Sequence, residues 1–395
     1  MAKFTPDEWN RIFAQLNGRE ASYGFPERRD GSVVLASFNI RDFGNKDKRT
    51  DGAWTLLKRI CERFDFIAVQ EVENELASLQ HLKEPLGDKY EMVFSDITGA
   101  LPSEIGPISP HERLAFIYRA DRVQRTALAS DITFDRSDIF RTLYKNRKAI
   151  WKAFEKYGGQ SKDFRAGGRS TKPYFISLPK FISFIRQPHC VSFEILAANG
   201  TTPYAFVAIN AHLLYGGGRK SERKKEFEAL ITWLLDRAKK ADTMPIKDII
   251  MFGDLNLDFS NPEKQRPKFD KRLKELNAKL EAGDKPADFN FPFLDKHPKL
   301  RKFLRSNARL SETYDQIAII KRDPRLPGHT LNKKAGETPD GFNFGVVNFV
   351  ELFQDVFLNG QSVTSLPTPE KQKFVGRFEY DVSDHMAIWI RLPKP

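Results

Sequence analysis

SVVLASFNI at 32–40, WTLLKRICERF at 54–64 and FDFIAVQEV at 64–72 read as a strand, a helix and a second strand. The two outer runs are apolar and strand-like, and the middle run has a helical pattern. Between them Trp54, Leu57, Ile60, Cys61 and Phe64 recur at three- and four-residue steps, which turns one helical face toward a sheet. The chain therefore opens as α/β.

Downstream, ENELASLQHL reads as a helix and YEMVFSDI as a strand. Further strands are expected at RLAFIYR, CVSFEIL, YAFVAINAHLL, DIIMFGDLNLD, YDQIAII and HMAIWIRL, with an amphipathic helix at SERKKEFEALITWLLDRAKK. Several strands follow one another without helices, so much of the pairing has to be antiparallel. DIFRTLYKNRKAIWKAFEKYGG, with Ile139, Leu143, Ile150, Trp151 and Phe154 near helical spacing, predicts a helix stopped by Gly158 and Gly159. GGQSKDFRAGGRSTK is then expected as a mobile loop.

The 395 residues carry 40% hydrophobic and 12% aromatic side chains, enough for a large core. Cys61 and Cys190 lie in apolar runs and read as buried thiols in a reducing compartment. MAKFTPDEWNRIF lacks a leader pattern and no apolar run reaches 18 residues, so a cytoplasmic protein with no membrane partner is expected. The net charge of +12 favours a polyanionic partner. It is concentrated in residues 137–172 (net +7) and 259–307 (net +6), leaving the rest of the chain near −1. With no repeat and no linker, the reading is an N-terminal helical extension over 1–31 and a single domain over 32–395 carrying those two basic insertions.

Four polar clusters stand at the ends of strand-like runs: Asn39 in SFNI, Gln70 and Glu71 in IAVQEV, Asp254 and Asn256 in MFGDLN, and Asp384 and His385 in YDVSDH. A strand through GDLN puts Asp254 and Asn256 on one face, and the glycine before them permits a close backbone or ligand approach. Glu71, Asp254 and Asp384 with an Asn suit a hard, oxygen-seeking cation such as Mg²⁺, while Cys/His spacing for zinc is missing. His212 and His385 can bind a phosphate or move protons if carboxylates fix their tautomers, and Glu112 and Asp315 are the candidates. GGGRKSERKK after His212 lacks the phosphate-loop pattern and reads as a flexible loop entering a basic helix.

In this order, SFN, QE, a mid-chain strand with His, GDLN, a D-x-I strand and a C-terminal SDH, the clusters resemble the endonuclease/exonuclease/phosphatase superfamily. SFNIRDFG, ERFDFIAVQEV, HERLAFIYRADRV, FIRQP, YDQI and SDH resemble its deoxyribonuclease I branch. The resemblance implies a four-layer α/β/β/α sandwich of two packed mixed sheets flanked by helices, and a Mg²⁺- or Mn²⁺-dependent endonuclease cutting DNA to 5′-phosphate ends. It implies that Glu71, Asn39 and Asp384 hold the metal and that Asp254 and Asn256 contact the scissile phosphate and its water. It further implies that His212 pairs with Glu112 and His385 with Asp315, and that Arg186 and Arg41 bind backbone phosphates.

Three departures qualify the resemblance. Glu73 stands where the branch has a minor-groove arginine, Pro110 replaces a DNA-contacting tyrosine, and the branch's disulfides are missing. A glutamate in the minor groove meets strong negative potential, so a different grip on nucleic acid is expected. The competing readings are a sphingomyelinase-like or phosphoinositide-directed phosphohydrolase and a nuclease effector regulated by a protein partner docked on the basic insertions.

Overall fold

The computed structural model describes residues 3–99, 111–170, 173, 176–197, 201–214, 220–239, 246–256, 262–279 and 288–395. Pro110, the start of GGGRKSERKK, and parts of both basic insertions lie outside the described residues. In chain order the strands are β1 (Ser32–Phe43), β2 (Phe66–Val72), β3 (Tyr90–Phe94), β4 (Arg113–Arg119), β5 (Val123–Asp131), β6 (His189–Ile195), β7 (Tyr204–His212), β8 (Ile249–Asp254), β9 (Asp288–Asn290), β10 (Asp315–Lys321), β11 (Asn343–Val346) and β12 (Ile388–Pro393). The helices are α1 (Pro6–Leu16), α2 (Asp51–Cys61), α3 (Ala77–Lys83), α4 (Arg136–Arg165), α5 (Lys220–Lys239), α6 (Pro262–Lys279), α7 (Phe349–Phe357) and α8 (Thr368–Val375).

The strands form two mixed six-stranded sheets, ordered β11-β12-β1-β2-β4-β3 and β5-β6-β7-β8-β10-β9. Each sheet holds a parallel pair, β1 with β2 and β7 with β8, among antiparallel neighbours. In each pair the crossover carries a helix, α2 or α5, as parallel neighbours require. The expected four layers are present: helices lie outside both sheets, and the sheets face each other across a phenylalanine-rich core. Phe66 of β2 meets Phe193 edge-on at 4.9 Å and Phe252 at 5.2 Å in the opposite sheet. All three rings are fully buried, and removing one such ring costs about 3–5 kcal/mol.

A polar link also joins the sheets. Asn210 on β7 donates to the carbonyls of Val69 and Ala115, and Gln70 donates to Asn210 Oδ1 at 2.6 Å. Every partner is buried, so a register slip between the sheets would strand these polar groups and is penalised. The N-terminal segment shares the main core: Phe4, Trp9, Ile12 and Leu16 are buried, and Phe4 stacks on Phe357 of α7 at 4.8 Å.

Two local expectations need correction. α4 does not stop at Gly158 and Gly159; it continues to Arg165, where Gly167 at φ +76° turns the chain out of the helix. Each mid-helix glycine costs about 1 kcal/mol, and the cost is spread along a 30-residue helix instead of breaking it. Much of the stretch expected as a mobile loop is therefore helical. β8 ends at Asp254, so Asn256 is not carried by a strand; it sits at φ +50°. The Asp254 side chain accepts the Asn256 N–H at 2.8 Å, an Asx turn that outcompetes the strand.

Candidate active site

Sheet register assembles the centre of the site. β7 and β8 pair His212 with Asp254, and β8 and β10 pair Asp254 with Asp315, so three functional groups stand in one row across three strands. β7 and β8 approach so closely that a Cβ on Gly253 would lie 1.8 Å from the Ala211 carbonyl oxygen. The glycine of GDLN thus serves a neighbouring backbone. From the facing sheet, β1 and β2 supply Asn39 and Glu71 at the same end, and the loop before β12 supplies Asp384 and His385.

Around Asp254 two histidine–carboxylate pairs face each other. His212 Nδ1 lies 2.7 Å from Glu112, and His385 Nδ1 lies 2.8 Å from Asp315. Their Nε2 atoms point to the same oxygen, Asp254 Oδ2, at 3.7 and 3.6 Å. Burial pushes the His212 pKa down and Arg186 adds to this, but Glu112 and Asp254 more than offset both and leave it above the ordinary imidazole value. Burial opposes the His385 charge too, yet Asp315 and Asp254 hold its pKa well above that value. Burial alone would raise the Glu112 carboxyl, but His212 and Arg186 hold it below the usual range. Asp254, Asp315 and His385 also bring one ligand atom each within 4.8 Å of one another.

Beside this centre lies an oxygen-rich set. Asn39 donates to Glu71 at 3.0 Å and to Asp254 at 3.1 Å, which leaves its buried Oδ1 with no donor. Asp384 Oδ1 is likewise buried and without a donor. Burial raises the Glu71 carboxyl, with Glu112 and Asp384 adding to the effect against His212. Glu71 (φ +61°), Asp42 (φ +47°) and Asn256 (φ +50°) all adopt left-handed backbone, and the β1–β2 register shifts between Asn39 and Phe43. Such strain costs on the order of 1–3 kcal/mol per residue, and its concentration here marks side chains aimed by the backbone.

The two arginines are placed differently. Arg186 is buried and donates to Glu112 at 2.8 Å. Arg41 reaches Asp384 at 3.1 Å and Glu379 at 3.4 Å, with its guanidinium 3.9 Å from the exposed Tyr380 ring. Glu73 lies against Gly44, where a Cβ would meet its carboxylate.

Several contributors escaped the sequence reading. Ser383 donates to the Asn39 carbonyl and accepts the Arg41 N–H, tying β1 to the SDH loop. Glu226 of α5 is buried and accepts the N–H groups of Ile185 and Leu214, one on each side of the Arg186–His212 contact. A carboxylate on the apolar face of KEFEALITWLL was the available signal for it. Arg49, also buried, donates to the carbonyls of Arg41 and Asp42, and desolvation lowers its pKa to about 10.

No family model matches the chain. It is 32% identical to rabbit (Oryctolagus cuniculus) deoxyribonuclease-1 over 98 residues, which is 24% of this chain and 32% of that protein. The chain resembles the deoxyribonuclease I branch of the endonuclease/exonuclease/phosphatase superfamily. The match spans about a third of the rabbit protein's length. Among solved structures it is similar to a humanized D. rerio TDP2 (TM-score 0.45, 13% identity, 92% of this chain, 100% of that one). It is also similar to the human nocturnin catalytic domain (0.46, 11%, 92%, 93%) and to a Bacteroides thetaiotaomicron mannosyl-6-phosphatase (0.40, 13%, 91%, 98%). No described helix is long and apolar enough to cross a membrane.

Proposed function

We propose that the chain is a divalent-metal-dependent phosphodiesterase that cuts DNA internally by in-line attack of water. The observation that carries this reading is the paired arrangement at Asp254, where two buried imidazoles, each backed by a carboxylate, converge on one oxygen. A phosphate entering between His212 and His385 meets two N–H donors whose charge offsets the charge that develops on its oxygens. Asp254 and Asn256 would orient the attacking water, with Asp254 taking its proton. As the P–O3′ bond breaks, an imidazolium N–H protonates the leaving oxygen, giving a 3′-hydroxyl and a 5′-phosphate. Arg41, part-exposed, is the better placed arginine for a neighbouring backbone phosphate, and Arg186 acts by holding Glu112.

Asn39, Glu71 and Asp384 would hold Mg²⁺ or Mn²⁺, since their donor-free buried oxygens and carboxylates suit a hard cation. When bound, such a cation polarises a phosphoryl oxygen and neutralises part of its charge. The test is to incubate the protein with supercoiled plasmid, linear duplex, single-stranded DNA and RNA in Mg²⁺, Mn²⁺ or EDTA. DNA is expected to be cut with either metal and spared in EDTA. Failure to cut any nucleic acid with either metal would overturn the reading in favour of a phosphorylated lipid headgroup.

A further inference from the structure

α4 follows β5, the edge strand of the sheet that carries His212 and Asp254, and presents a face that the proposed chemistry does not use. At 100° per residue, Arg136, Phe140, Tyr144, Arg147, Trp151, Phe154, Lys162 and Arg165 fall on one stripe of the helix. Its aromatic members are exposed: Phe140 by 54%, Tyr144 by 69%, Trp151 by 68% and Phe154 by 45%. The half-covered residues Ile139, Leu143, Ile150 and Tyr157 line a different face. Cations and rings on the outer stripe are interleaved: the Arg136 guanidinium lies 5.2 Å from the Phe140 ring and Arg147 lies 4.4 Å from the Tyr144 ring. The helix as a whole carries nine Lys/Arg and three Asp/Glu.

We infer that this stripe is a docking surface for single-stranded nucleic acid, with unpaired bases stacking on the rings and backbone phosphates lying along the Arg and Lys side chains. The inference rests on the phosphodiesterase reading for its use, and it adds the substrate form and the place where the strand is held. Charge complementarity selects the partner. A second copy would set two strongly basic helices against each other, and a membrane surface calls for rings and charges on opposite faces, not on one stripe. A duplex keeps its bases stacked on each other, whereas every unpaired base offers a ring face to an aromatic side chain. From Phe140 to Phe154 the stripe runs about 21 Å along the helix, long enough to hold several nucleotides of an extended strand.

Both ends of the insertion are anchored at the catalytic end of the sheet. Asp131, five residues before α4, binds His189 at 2.8 Å and pairs with it in register, and His189 pairs with Asn210, two residues from His212. The returning chain delivers Arg186 to Glu112. α4 thus springs from the end of the sheet that carries the proposed phosphate site.

The experiment is fluorescence anisotropy of a labelled mixed-sequence 20-mer, single-stranded or in duplex, titrated with the full chain in EDTA, so that binding is read without cleavage. The single strand is expected to bind more tightly than the duplex, and the Tyr144→Ala/Trp151→Ala variant to lose about tenfold or more in single-strand affinity with an unchanged melting temperature. Equal affinity of wild type and variant, or variant-sensitive binding to anionic phosphatidylserine vesicles without single-strand binding, would overturn the inference. So would a concentration-dependent dimer that the variant abolishes. Hydrolysis of bis(p-nitrophenyl) phosphate, which carries no nucleotide strand for α4 to hold, should be unchanged in the variant. Its absence in both proteins with Mg²⁺ and Mn²⁺ would count against the phosphodiesterase reading and leave the binding result standing.

Discussion

At the scale of single residues, the site is organised by what each imidazole has behind it. Glu112 offsets the burial that opposes charge on His212, so Glu112→Gln should lower the His212 pKa. If the charged imidazole meets the phosphate, activity falls as pH rises through that pKa. A rate–pH profile of the variant should then show its alkaline limb at lower pH than in wild type; an unmoved limb would assign the titration elsewhere. Asn39 offers a second handle, because its buried Oδ1 has no donor. Asn39→Ala should weaken Mg²⁺ binding, measured by calorimetry, by about tenfold or more while the protein stays folded. His297 acts on stability. Burial holds its pKa below the ordinary value, so its neutral form favours the fold fully above about pH 6.5 and the contribution is lost as pH falls below that. The melting temperature of His297→Gln should approach that of wild type as pH drops from 7.5 to 5.5.

At the scale of elements, period and burial explain what the sequence made legible. β1, α2 and β2 could be read directly because Val33 to Phe38 and Phe66 to Val69 are buried without interruption, while Leu57, Ile60 and Cys61 recur on one helical face. β5 carried no such signal: VQRTALASD is an exposed edge strand, and its residues neither alternate cleanly nor run apolar. β9 and β11 are too short to imprint a pattern, and they exist because β10 and β12 offer an open edge. In α4 the helix formers on either side outweigh the Gly-Gly pair, so the helix runs through it. Gly158→Ala/Gly159→Ala should therefore raise helical content and stability, by about 1 kcal/mol per site, as measured by circular dichroism and urea unfolding.

At the scale of the whole molecule, the site exists because the two sheets present the same ends to one another. Asn39 and Glu71 come from one sheet, His212, Asp254 and Asp315 from the other, and Asp384 and His385 from the loop that precedes β12. Asn39, Glu71, Asp254, Asp384 and His385 were visible in the sequence as polar clusters closing apolar runs, and His212 and Asp315 as a histidine and a candidate carboxylate partner. Their geometry was not, because it depends on cross-strand register, on the left-handed turns at Glu71 and Asn256, and on contacts as distant as Ser383 to Asn39. The central claim is that two histidine–carboxylate pairs converging on Asp254 carry out phosphodiester hydrolysis. Its most direct test is the rate of supercoiled plasmid nicking in Mg²⁺ by wild type, His212→Ala, His385→Ala and the double variant. Each single change should slow nicking by about 10²-fold or more, and the double variant should be little slower than the worse single. Nicking at the wild-type rate by either single variant would contradict the account.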